Sequence, residues 1–87
     1  NLTQTDFSNQ VSIFPNPATT QIYIQNNTQE SIDKAIVFDI FGHAIQSANL
    51  SRHNQTLNVS NLSNGIYFIS FYNQNKNIST QKCVIAH

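Results

Sequence analysis

The residues that could carry catalysis or hold a metal are few in this 87-residue chain: three histidines, four carboxylates and one cysteine. His43, His53 and His87 share no ligand spacing with one another or with Cys83, so no zinc-type site can be drawn, and the histidines read as solvated surface groups. Cys83 has no cysteine to pair with and no basic neighbour in sequence to lower its pKa, which makes it a small apolar filler. Asp6, Glu30, Asp33 and Asp39 form no acid/base pair, and Asp39 is better explained as a turn residue. No nucleophile, base and orienting group can be assembled, so the expectation is a non-enzyme without cofactor or metal. Several Asn-x-Ser/Thr triplets, such as Asn58-Val59-Ser60, result from a composition rich in all three residues and are assigned no role.

Composition narrows the remaining classes. Four basic residues balance four acidic ones, which leaves no field to attract nucleic acid or an anionic membrane surface. No apolar run approaches the ~20 residues that span a bilayer, so membrane insertion is not expected. The length suits one domain, and a chain of this size buries only about 60% of its unfolded surface. The polar opening, residues 1–10, with only Leu2 and Phe7 apolar, reads as a linker that meets a domain, and residues 11–87 as the folded unit.

Period-two alternation dominates the folded unit. Val11-Ser12-Ile13-Phe14 reads as an edge strand stopped by Pro15-Asn16-Pro17, because proline fixes φ and removes a ladder donor. In Gln21-Ile22-Tyr23-Ile24-Gln25 the isoleucines share one face. The continuous run Ala35-Ile36-Val37-Phe38 suggests a strand buried on both faces, with Ile36, Phe38 and Ile40 on one side. Asp39 and Gly42 predict a hairpin turn, with residues 43–50 as the return strand or, less in keeping with their number, a short helix. Leu57 and Val59 alternate before a corner of small polar residues ending at Gly65. Residues 66–72 form the strongest strand, with Tyr67, Ile69 and Phe71 assigned to the core, then a five-residue loop over 73–77 and a last strand over 78–85. About seven strands with turns at this spacing predict an all-β, immunoglobulin-like antiparallel sandwich. Tyr67, where a strand leaves a corner, is placed to bond upstream backbone as in the tyrosine corner of such sandwiches.

Three ordered segments resemble one known family. Ile13-Phe14-Pro15-Asn16-Pro17-Ala18, then Val37-Phe38-Asp39-Ile40-Phe41-Gly42-His43, then the block from Leu57 through Gly65 and Tyr67 to Ile69 are similar to the type A C-terminal sorting domain of the type IX secretion system. Lys82-Cys83-Val84-Ile85 resembles that family's closing strand. The resemblance implies a Bacteroidota parent protein whose cargo passes the periplasm and then the outer membrane through the type IX translocon. It also implies docking on an outer-membrane shuttle protein, removal of the domain by a sortase-like peptidase, and a secreted or surface-bound cargo. The chain departs from the family at Gln81-Lys82, where paired lysines are usual, at the Ala86-His87 end, and at His43 after the turn glycine, all of which lower positive charge.

A terminal edge strand can accept a receptor strand, and Lys82, Val84 and Ile85 are the residues expected to be read there. Pro15, Asn16, Pro17, Asp39, Gly42, Gly65 and Tyr67 are expected to shape turns and edges. The competing expectation is a carbohydrate- or protein-binding adhesive module that uses outward aromatics such as Tyr23, Phe68 and Tyr72.

Overall fold

The computed structural model describes residues 10–51 and 55–87. Residues 1–9 of the expected linker, with Asp6, and also His53 lie outside the described residues. Seven strands and no helix make up the rest: β1 (Val11–Phe14), β2 (Gln21–Asn26), β3 (Lys34–Phe38), β4 (Ala44–Asn49), β5 (Thr56–Asn58), β6 (Gly65–Asn73) and β7 (Lys76–Ile85). They form two antiparallel sheets, ordered β1-β2-β5 and β4-β3-β6-β7. The expected all-β sandwich of about seven strands is the architecture found.

Each strand contributes alternate side chains to one shared core. Ile22 and Ile24 of β2, with Leu57 of β5, meet Ala35 and Val37 of β3, Tyr67, Ile69 and Phe71 of β6, and Cys83 and Ile85 of β7. The split arises from strand geometry, since successive residues point to opposite sides. It corrects the expectation of a β3 buried on both faces: Ala35 and Val37 are enclosed, whereas Ile36 and Phe38 are only half-buried, because none of the described strands packs over the outer side of the four-stranded sheet. Ile40 does not extend that row; it sits exposed in the turn after β3.

Two local devices set the registers. The expected five-residue loop after β6 is a two-residue turn, with Gln74 at φ 50° and Asn75 at φ 70°. Two successive positive φ angles match the right-handed twist of a tight hairpin, so pairing continues as far as Asn73 opposite Lys76. Farther along, Phe71 opposes Ser79 while Tyr72 opposes Asn77, leaving Ile78 as an extra residue. That bulge lets Ile78 and Ser79 both be buried although they are adjacent in sequence. Residues 43–50 form no helix; β4 returns beside β3 with its own register shift between Val37 and Phe38.

Phe71 is completely enclosed at the centre of β6. Phe71→Ala is expected to cost about 3–5 kcal/mol, measured as the shift of the urea unfolding midpoint, with near-complete unfolding at physiological temperature if total stability is of the same order.

Candidate functional site

Pairing registers bring every sequence motif to one pole of the sandwich. Phe38 opposes Phe68 and Gly65 opposes Ile85, so the turn after β3, the corner before β6 and the end of β7 lie together. Ala18 joins them through a parallel bridge to Ile85. The pole therefore comprises residues 15–18, 39–43, 62–65 and 84–87.

Asn16 performs an unexpected task there. Its side-chain amide donates from Nδ2 to the Lys82 carbonyl at 3.2 Å, and its Oδ1 accepts the Val84 N–H at 2.9 Å. One side chain thus imitates the peptide group of a neighbouring strand. The backbone then takes over: Ala18 N–H donates to the Val84 carbonyl at 2.8 Å, and Ala86 N–H donates to the Ala18 carbonyl at 2.9 Å. Pro15 and Pro17 have no N–H to offer, and the asparagine side chain, which both donates and accepts, makes the bonds to β7 at this point. The peptide bonds preceding both prolines are cis. Ala18 is fully buried against this seam.

The other loops are fixed from within. Asp39 Oδ1 accepts backbone N–H groups from Phe41 and His43, both at 2.9 Å, and Gly42 takes φ 86°. A side-chain oxygen placed this way organises the turn, and the glycine supplies the left-handed residue that closes it. The backbone N–H of His43, aided by that of Phe41 and by the imidazole, holds the Asp39 carboxyl below its ordinary range despite partial desolvation. Tyr67 makes the expected corner, its hydroxyl donating to the Ser63 carbonyl at 2.7 Å. Gly65 precedes it with φ 155°. His87 secures the same corner, its N–H donating to Asn64 Oδ1 at 2.9 Å and its Nε2 lying 2.6 Å from the Leu62 carbonyl.

Of the three residues expected to be read by a receptor, Lys82 is exposed and Val84 half-buried on the outer face of the four-stranded sheet. Ile85 is only 2% exposed and belongs to the core, which corrects its assignment: it points the opposite way from Val84. The expected strand addition at this end of β7 also needs correction, because Asn16 and Ala18 already occupy the backbone edge over residues 82–86. Sequence reasoning placed Asn16 with the prolines as an edge-shaping residue but did not find its partners on β7; the signal was a lone donor-acceptor side chain flanked by two residues without N–H.

Around Lys82 and Val84 lies an apolar surface. Ile66, opposite Val84, is 45% exposed, and Phe68, opposite Lys82, is 37% exposed. Phe38 and Ile36 continue the row on β3, and Phe41 stands out at 78% exposure in the adjoining turn. On the opposite sheet Phe14 stacks on Tyr23, with centroids 5.7 Å apart. Among the described residues no group of three His, Cys, Asp or Glu side chains could hold a metal ion. Burial pushes the Cys83 thiol up, away from the reactive thiolate form.

The family model for the secretion system C-terminal sorting domain matches residues 12–86. No curated protein and no solved structure matches the chain.

Two measurements check the pole. Asn16→Ala removes both side-chain bonds and is expected to cost about 1 kcal/mol and to speed hydrogen exchange at the Val84 amide; unchanged exchange would show that the asparagine does not hold the edge. For Asp39, a lowered carboxyl pKa means a stabilisation fully present above the unfolded value of about 3.9 and lost as pH falls through the folded value. The gap in melting temperature between wild type and Asp39→Ala is therefore expected at neutral pH and to narrow steadily below about pH 4.

Proposed function

The chain belongs to the family of secretion system C-terminal sorting domains, and from that premise we propose that the folded domain is read through the outer face of its four-stranded sheet at the motif pole. A domain of this family is the sorting signal for type IX secretion, and its role is recognition and export, not catalysis. Engagement of the secretion machinery is inherent in that role. The partners we infer are an outer-membrane shuttle protein of the translocon and a sortase-like peptidase that removes the domain, with the cargo released or attached at the cell surface.

The observation that carries the choice of face is the exposure of Ile66 and Phe68 beside Lys82 and Val84. Apolar side chains left open next to one cation suit a pocketed protein surface, where buried aromatic and aliphatic anchors supply most of the affinity. Backbone pairing at residues 82–86 is used internally, so side chains remain the means of reading this end of β7. The polar segment before β1 is the proposed place of peptidase cleavage.

One observation favours a second reading. The exposed Phe14–Tyr23 stack, among the glutamines of β2, would suit an adhesive contact with carbohydrate or protein. Retention separates the two: an adhesive module stays on the mature surface protein, whereas a sorting domain is lost from it.

Fusing residues 1–87 to the C-terminus of a periplasmic reporter in a Bacteroidota host tests the function. Export that disappears in a translocon mutant, with loss of the domain's mass, is expected. Ile66→Ser with Phe68→Ser is expected to lower exported reporter at least tenfold, equivalent to about 1.4 kcal/mol of recognition, while the melting temperature stays close to wild type. Normal export by this double variant would move recognition away from this face.

A further inference from the structure

The outermost strand of a sheet turns a row of amides and carbonyls away from its only partner, and proteins blunt such edges with prolines, charges, short strands or covering segments. The two sheets have four edges, β1, β5, β4 and β7. Three of them are blunted. β7 is closed over residues 82–86 by Asn16 and Ala18, and farther back it carries the bulge at Ile78 and the charge of Lys76. β1 has four residues, runs into Pro15 and lies beside β7. β5 has three residues, and its Asn58 carbonyl accepts a bond from the Gln46 side chain at 2.6 Å.

β4 is different. Its six residues, Ala44-Ile45-Gln46-Ser47-Ala48-Asn49, include no proline and no charged side chain. Among the described residues it pairs only with β3. Leu50 N–H donates to the Asp33 carbonyl at one end of this pair, and Asp39 N–H donates to the His43 carbonyl at the other. In an antiparallel pair, alternate residues turn both backbone groups towards the partner. Counting from Leu50, Ala48 and Gln46 face β3, which leaves Ser47 and Asn49 with N–H and C=O directed to the open side. The register shift at Val37/Phe38 accounts for the change of parity before His43.

Beside this edge runs a groove of about 540 Å³ between β4 and β5, lined by Gln46, Ala48, Thr56 and Asn58 among other uncharged residues. Ile45 protrudes from β4 close to the turn that carries Ile40 and Phe41, all three exposed. The edge is therefore continuous with the apolar outer face to which recognition was ascribed.

We propose that β4 is the edge to which the secretion machinery adds a strand: an extended, uncharged segment of a type IX component that pairs with the backbone of Ser47 and Asn49 and covers the adjoining apolar face. This rests on the sorting function. Strand addition supplies register and orientation through main-chain bonds, while the alternate side chains of the partner enter the groove on one side and meet the Ile36 and Phe38 face on the other.

Ser47→Pro tests it, because proline removes an outward N–H while the bonds of β4 to β3 remain. With the same reporter fusion, Ser47→Pro is expected to reduce export at least tenfold, and Ser47→Ala, which keeps the N–H, to export like wild type. Should Ser47→Pro fail to fold, judged by its melting curve, hydrogen exchange of the wild-type domain decides: the Ser47 and Asn49 amides are expected to slow at least tenfold on adding purified translocon with its shuttle protein, and unslowed exchange overturns the proposal. Wild-type-level export by folded Ser47→Pro also overturns it, including the case in which the variant converts a wild-type dimer to monomer, which would assign the edge to a second copy of the chain. Absence of export by the wild-type fusion would instead sink the sorting reading on which the proposal rests.

Discussion

Backbone groups along the outer edge of β7 need partners, and the way they find them organises the whole motif pole. β7 supplies Ile78, Cys83 and Ile85 to the core, so it must stay in register with β6, yet it is also the last strand of its sheet. Asn16 and Ala18 solve this by covering the strand end from the other sheet. A seam of this kind ties the two sheets by directional bonds in addition to apolar contact, which matters in a chain too short to bury a large core. The aspartate turn, the tyrosine corner and the contacts of His87 then gather at the same end because strand pairing leaves them nowhere else to be.

The same strand also has to face outward. Alternation assigns Cys83 and Ile85 to the core and Lys82 and Val84 to the surface, so four consecutive residues serve the core and the outer face together. Removing the last six residues would therefore strip the core as well as any contact surface, and lost export after such a truncation would not distinguish the two. Substitutions confined to Ile66, Phe68 or Lys82 act on the outer face alone. Pro15, Asn16, Pro17, Asp39, Gly42, Gly65 and Tyr67 belong to the turns and seams of the pole.

A small polar domain with no net charge cannot steer a partner from a distance. Under the proposed reading its specificity comes from contact: an apolar face of limited size, the neighbouring Lys82 and the backbone of β4. Such a surface suits a signal shared among many cargoes, because it depends on a fold and a few outward side chains rather than on the identity of what lies upstream.

The sequence by itself determined the succession of strands, most of their inward faces and the Asp39 turn, because these depend on neighbours within a few residues. Ile22 with Ile24, Tyr67 with Ile69 and Phe71, the Asp39 turn, Gly42 and the Tyr67 corner all result from period-two burial and local hydrogen-bond chemistry. The family was legible for the same reason, since its motifs sit where the chain turns. Only the tertiary structure decided what depends on residues far apart: that Asn16 would bind the backbone 66 and 68 positions away, and that the end of β7 would be closed while β4 lies at the outer edge of its sheet. Edge order is a property of how sheets assemble, and alternation along one strand carries no record of which neighbour lies beside it.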